Sequence, residues 1–240
     1  MISIVIPTLN EEKILERTLT GLRSLTDIPH EVIISDGNSK DATIAIAKRF
    51  ADKVVEYEGK ERQTIGGGRN LGAWQAHGEY LVFMDADVFI PGGNEFFKQA
   101  IALFEQDKRL EGLTVFLKVL PEHVTLSDAL FFGLVNRIYQ FSNNVLHKGA
   151  ASGEFQMMRR ATFEKIGGFN EALAVGEDNE LFSRLSKIGK TRIASGLHVM
   201  HTSRRAHNIG WAKLLSFWIG NLAYTKVTKK PLSKEWKVIR

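Results

Sequence analysis

From residue 2 to residue 87 the chain alternates short, unbroken apolar runs with longer amphipathic segments, and that alternation leaves few folds open. Residues 2–7, 31–35, 53–56 and 80–84 are continuous and β-rich, as strands buried on both faces are. Helical patterns lie between them. Asn10 is placed to cap a helix in which Ile14, Leu15, Thr18, Leu19 and Leu22 repeat. Residues 41–50 form a second helix with Asp41 at its cap, and residues 65–77 a third, opened by glycines. Strands joined in this way run parallel with right-handed crossovers. Ligands of such sheets bind beyond the carboxyl ends of the strands. Three polar clusters fall there, at residues 8–11, 36–39 and 85–87.

The second half is less regular. Helical patterns cover 94–106, 126–146, 162–166 and 177–188, and strand-like runs cover 113–119, 154–158 and 191–194. The 126–146 pattern is strongly apolar, reading either as a buried core helix or as one wall of a groove for a lipid-linked acceptor. With 240 residues, 44% hydrophobic and 25% charged, the chain is globular, with no repeats and no low-complexity segment. It contains no cysteine, which excludes disulfide frameworks, zinc–cysteine sites and cysteine nucleophiles. No apolar run reaches transmembrane length and the amino terminus lacks a basic leader, so the expectation is a cytoplasmic protein, soluble or peripheral at the membrane's cytoplasmic face.

Asp85-Ala86-Asp87 directly follows a buried strand. In extended chain, residues i and i+2 share a side, and two carboxylates so placed suit a hard cation such as Mg²⁺ or Mn²⁺ that also takes substrate phosphates. The alternative is a solvated turn. Asp36, at the end of the second strand, suits hydrogen bonds to a base or ribose, or else an Asx turn. Gly66-Gly67-Gly68-Arg69 loosely resembles an anion-cradling loop, with Arg69 placed to meet a base or phosphate; a flexible lead into a helix is the plain alternative. Glu177, Asp178 and Glu180 suit a helix start, or one of them serves as a general base. His201 gains meaning only if the chain returns to the Asp85–Asp87 site, with Arg204 and Arg205 behind it for a diphosphate.

In order and spacing these segments resemble the family-2 glycosyltransferases of GT-A fold. The resemblance rests on residues 3–12 (SIVIPTLNEE), 31–41 (EVIISDGNSKD), 68–72 (GRNLG), 78–87 (GEYLVFMDAD), 158–169 (MRRATFEKIGGF) and 176–181 (GEDNEL). It implies a Rossmann-like three-layer α/β/α domain with a mostly parallel central sheet over 1–205, with the nucleotide side at about 1–118 and the acceptor side at about 119–205. A C-terminal helical extension would cover 206–240. It further implies metal-dependent, inverting transfer of a sugar from a UDP- or GDP-sugar to an acceptor hydroxyl or lipid phosphate. Pro7, Thr8, Glu11, Asp36, Arg69, Asp85 and Ala86 would then bind the donor nucleotide. Asp87 and His201 would hold Mg²⁺ or Mn²⁺, Asp178 would be the catalytic base, and Glu177, Arg204 and Arg205 would face acceptor or diphosphate. Ser35-Asp36-Gly37 departs from the family's commoner Asp-Asp-Gly, and no Gln-x-x-Arg-Trp segment of processive synthases is present, so a non-processive transfer is expected. A sugar-phosphate nucleotidyltransferase is disfavoured because residues 8–12 are neither glycine-rich nor basic; a non-catalytic nucleotide- or sugar-binding protein is the other alternative.

The net charge of +5 is uneven. Residues 201–240 hold nine basic side chains and one acidic one, a net +8, which leaves residues 1–200 at −3. Trp211, Leu214, Leu215, Trp218 and Leu222 share one helical face, and lysines follow. That combination suits an interfacial membrane contact or packing on the domain or a second subunit, and no nucleic-acid module accompanies it.

Overall fold

A computed structural model describes residues 1–217 and residue 220. The first half is the expected alternation: β1 (Ile2–Thr8), α1 (Leu15–Leu22), β2 (His30–Asp36), α2 (Thr43–Phe50), β3 (Lys53–Glu56), α3 (Ile65–Ala73) and β4 (Tyr80–Met84). A two-residue strand, β5 (Val88–Phe89), and α4 (Gly93–Gln106) follow. The second half comprises β6 (Leu110–Val119), α5 (Leu126–Gln140) continued by a π turn at Phe141–Val145, β7 (Phe155–Arg159), α6 (Arg160–Lys165), α7 (Glu177–Leu185), β8 (Lys190–His201) and α8 (Arg204–Ile209). Residues 211–217 are helical again.

One eight-stranded sheet runs in the order β3-β2-β1-β4-β7-β6-β8-β5. The pairs among β1 to β4 are parallel, as short helical crossovers require. Beyond β4 the sheet is mixed: β7 is antiparallel to both β4 and β6, β8 is parallel to β6, and β5 is antiparallel to β8. The two apolar runs at 191–194 and 197–200 belong to one strand, because the β6–β8 pairing skips from Ala194 to His198 at a bulge. Alternate residues of β1 feed different cores. Ile2, Ile4 and Ile6 pack with α1 and α4, whereas Val5 packs with Phe83, Phe163 and Phe182 on the opposite face. Three layers result. Among the described residues no helix is long and apolar enough to cross a membrane.

Asn10 does not cap α1, whose N-terminus at Ile14 has no side-chain cap. It adopts φ 56° instead, and its Oδ1 accepts from Lys40 N (2.8 Å) while its own N–H donates to Ser39 Oγ (2.8 Å). It thereby ties the loop after β1 to the loop after β2. Asp41 does act at the start of α2, accepting from Thr43 N at 3.0 Å. The glycines of α3 lie within the helix rather than in an anion-cradling loop. A Cβ at Gly72 would come within 2.5 Å of Val5 Cγ1, so they let α3 settle close to β1.

α5 is not a buried core helix. Asp128, Phe132 and Asn136 face inward, but Leu126, Leu130, Leu134 and Ile138 are exposed. The first part of the proposed extension packs on α5: Trp211 lies against Phe131 with ring centroids 3.9 Å apart, and Leu214 is buried. Of the expected apolar face, Trp218 and Leu222 lie outside the described residues, as do the lysines after Lys213.

Asp128 joins these parts. It caps α5 through Thr125 and also accepts from Ser203 Oγ (3.2 Å), His207 Nε2 (2.8 Å) and Trp211 Nε1 (3.1 Å). Burial alone would raise its pKa; the hydrogen bonds from His207 and Thr125 outweigh that and hold it down to about 2. A depressed carboxyl stabilises the fold above its unfolded pKa of about 3.9 and loses that contribution as the pH falls through its folded value. Asp128→Asn is therefore expected to lower unfolding free energy by about 1–3 kcal/mol at neutral pH. In urea titrations the difference from wild type should shrink as the pH drops from about 4 towards about 2.

Candidate active site

The carboxyl ends of β1, β2 and β4 open onto a cavity of about 1100 Å³. After β4 the chain does not stay extended: Val88 N donates to Asp85 O (3.2 Å), closing a turn that carries the backbone from the middle of the sheet to its β5 edge. The turn sends the two carboxylates to different partners. Asp85 reaches Arg69 on α3, and Asp87 reaches Thr202 and Arg204 after β8.

Arg69 forms the centre of the first group. Its side chain is 1% exposed, so the expected contact with the nucleotide gives way to an internal role. Nη1 donates to Asp178 Oδ1 (2.5 Å) and Glu177 Oε1 (3.1 Å), and Nη2 to Asp85 Oδ1 (3.0 Å) and Gly153 O (3.1 Å). A Cβ at Gly153 would lie 2.5 Å from Nη2, so only glycine leaves room for the guanidinium. Burial disfavours a charged Arg69, but the charges of Asp178, Asp85 and Glu177 more than offset it and raise its pKa. The carboxylates outnumber the cation. Burial lifts Asp85 to about 7, with Glu154, Asp87 and Asp178 adding to the rise and Arg69 opposing it. Burial, together with repulsion from Asp178, likewise lifts Glu177 well above the carboxylate range. Glu177 lines the cavity and one of its oxygens accepts from Arg69. Asp178 is fixed by one oxygen: Oδ1 accepts from Arg69 and from Gln156 Nε2, while Oδ2 has no hydrogen-bond partner among the described residues.

The second group surrounds Asp87. Arg204 makes a two-pronged pair with Glu11, 2.7 Å at each prong, and its Nε lies 3.3 Å from Asp87. Pairing of β5 with β8 sets Val88 opposite His201, which brings His201 beside this carboxylate. Burial lowers the His201 pKa against the pull of Asp87 and Asp85, so the ring is neutral. Its Nδ1 accepts from Ser203 N (3.2 Å), which assigns the proton to Nε2; that atom is buried and has no hydrogen-bond partner among the described residues. In this tautomer Nε2 offers a donor to an anionic oxygen; with the proton on Nδ1 instead, the same atom offers a lone pair to the expected cation. Among the described residues no three His, Asp or Glu side chains converge as a preformed metal cage. Asp85 and Asp87 still fit a divalent cation. Both are hard oxygen donors, and the raised Asp85 pKa marks negative charge that Arg69 leaves uncompensated.

Pro7, Thr8, Glu11, Ala86 and Arg205 line the cavity, but Asp36 does not. It is fully buried and accepts from Thr8 Oγ1 (2.9 Å), Ser39 N (2.7 Å) and Ser39 Oγ (2.6 Å), the Asx-turn alternative. Gly37 and the 61–64 segment form the wall there. Sequence reading missed Gln156, Glu154 and Tyr139. Glu154 and Tyr139 reach the cavity, and both have pKa values raised by burial and by nearby carboxylates. One signal was available for Glu154: like the aspartates, it stands at the end of a strand, here the start of an antiparallel one.

Residues 3–167 match the family described as Glycosyl transferase family 2. The chain is 29% identical over 193 residues to the succinoglycan biosynthesis protein ExoA of Rhizobium meliloti, covering 78% of this chain and 58% of that one. It thus spans little more than half of that relative's length. Two solved structures are similar in fold. The mannosyltransferase PcManGT from Pyrobaculum calidifontis, in complex with GDP-Man and Mn²⁺, has a TM-score of 0.66 at 19% identity, covering 95% of this chain and 70% of that one. Glucosyl-3-phosphoglycerate synthase from Mycobacterium tuberculosis, in complex with Mn²⁺, UDP and glucosyl-3-phosphoglycerate, has a TM-score of 0.65 at 20% identity, covering 97% and 81%.

Replacing Arg69 by Met leaves Asp85, Glu177 and Asp178 facing one another without a cation. Thermal and urea unfolding should show a loss of about 3–5 kcal/mol. Because Glu177 and Asp85 protonate readily, the loss should lessen as the pH is lowered from about 8 to about 6.

Proposed function

The chain belongs to glycosyl transferase family 2, and from that premise we propose that it moves one sugar from a UDP- or GDP-sugar to an acceptor hydroxyl or lipid phosphate, with inversion and without processivity. One observation carries the reading. Asp178 is held by Arg69 and Gln156 through a single oxygen, and its other oxygen is left for a proton beside the Asp85–Asp87 turn. On this reading residues up to about 118 take the donor, and residues from about 119 to 205 take the acceptor.

The nucleoside diphosphate lies along Pro7, Thr8 and the 61–64 wall, with Arg204, Arg205 and the Nε2 proton of His201 near its phosphates. Asp87 and Asp85 would hold Mg²⁺ or Mn²⁺, which when bound neutralises charge on the leaving diphosphate. The Mn²⁺ in the Pyrobaculum and Mycobacterium structures supports that assignment. The acceptor oxygen attacks the anomeric carbon from the face opposite the diphosphate. Its proton passes to Asp178 Oδ2, the carbon–oxygen bond to the diphosphate breaks, and the electron pair leaves with the diphosphate. A phosphate acceptor is already ionised, and Asp178 then only positions it.

Asp178→Asn keeps the hydrogen bonds of its neighbours nearly intact but cannot take the proton. The expected result is a fall in kcat of about 10²–10⁴ with little change in donor KM, read from UDP or GDP release. A variant that turned over at the wild-type rate would overturn the assignment. Removing divalent ions with a chelator should stop turnover in the wild type, and Mn²⁺ or Mg²⁺ should restore it. Asp87→Ala should not recover in either ion.

A further inference from the structure

α5 and its π-turn continuation present an apolar stripe that the described residues leave exposed. Leu126, Leu130, Leu134, Ile138, Phe141 and Val145 follow one another at helical spacing, with exposures from 77% at Leu126 to 53% at Ile138. Over 20 residues the stripe is about 30 Å long, far more than the scattered apolar side chains normal on a protein surface. We propose that this face is a docking surface for an anionic lipid bilayer.

Charge singles out that occupant. Between residues 123 and 153 there is one carboxylate, Asp128, and it is fully buried and paired with His207. The exposed side of the segment therefore carries Arg137 and Lys148, with His123 and His147, while Glu122 just ahead of it is paired with Arg17. An apolar helix face flanked by cations is the pattern of a helix lying in the plane of an anionic interface. A second copy of the chain fits less well. A two-fold contact sets the patch against itself, which would bring cations to cations with no carboxylate across the interface.

Position supports the same occupant. Phe131, Val135 and Tyr139, on the neighbouring side of the same helix, line the cavity that holds Asp178, and Ile138 of the stripe borders it too, so a bilayer on the outer face lies at the rim of that cavity. The last continuously described helix, residues 211–217, packs on α5 through Trp211 and Leu214. The 23 residues that follow it in the sequence, 218–240, carry six basic side chains and one acidic one. The interfacial contact expected of the extension through Trp211 is thereby moved to α5, because the Trp211 indole is bound to Asp128 and lies against Phe131.

Vesicle co-sedimentation of the full chain tests this without any catalytic readout, so failure of the glycosyl-transfer reading and failure of this one remain distinguishable. The wild type should sediment with phosphatidylcholine vesicles that contain phosphatidylglycerol, and much less with phosphatidylcholine alone. The triple variant Leu130→Gln, Leu134→Gln, Phe141→Gln replaces exposed side chains outside the cavity wall, and it should lose about tenfold in binding with an unchanged thermal midpoint. Arg137→Glu with Lys148→Glu provides a second arm and should also weaken binding. Four results would overturn the proposal. One is equal binding by the wild type and both variants; another is no binding by the wild type. The third is a wild-type dimer in sedimentation velocity that the triple variant lacks, which would assign the stripe to a second copy. A variant of 218–240 with its basic residues changed to Gln separates the tail: complete loss there, with undiminished binding by the α5 variants, also overturns it.

Discussion

A guanidinium sealed among carboxylates holds the centre of this molecule together. Arg69 is buried and takes its charge compensation from Asp178, Glu177 and Asp85, which come from α7 and from the turn after β4. Bringing them to one point requires close approach of backbones. α3 must lie against β1, which Gly72 permits, and the segment before β7 must pass without a side chain, which Gly153 permits. The cation does not neutralise the group. It leaves the carboxylates in mutual tension, one raised to about 7 and another well above its usual range, and that residual charge suits the site to positive ligands and to proton uptake.

Around this anionic centre the later part of the chain supplies the cations. Arg204 stands between Glu11 and Asp87, with Arg205 and His201 nearby. Their placement depends on Ser203, whose hydroxyl donates to Asp128 on α5, and on β8, which returns His201 to the edge strand beside Asp87. Asp87, unlike Asp85, has its partners only once β8 has paired with β5 at the sheet's edge.

The alternating half of the fold was legible because each of its signals is local. Unbroken β-rich runs such as 2–7 and 80–84 need only be buried on both faces, and the helices between them follow from spacing. The antiparallel pairing through β7 was not legible, since register between strands about 75 residues apart leaves no mark on either. The same division runs through the site. Asp85 and Asp87 follow a strand end where topology alone points to a ligand, whereas Asp178, at a helix start, drew its role from the family resemblance. Arg69 and Asp36 sit beside them and turn inward, a difference decided by which neighbour reaches them first: Asp178 and Glu177 for the one, Thr8 and Ser39 for the other. α5 misled for a related reason. Apolar spacing shows that a helix has an apolar face, but not whether the protein itself covers it.

The sheet also divides the interior. Ile2, Ile4 and Ile6 belong to one core, Val5, Ile33 and Phe83 to the other, and the cavity lies at the strand ends beyond both. Substitutions on opposite faces share few partners, so their costs sum rather than compound. Each core is therefore free to change its residues over generations independently of the other. The seam where the strands stop is the one place answerable to both, and the chemistry occupies that seam.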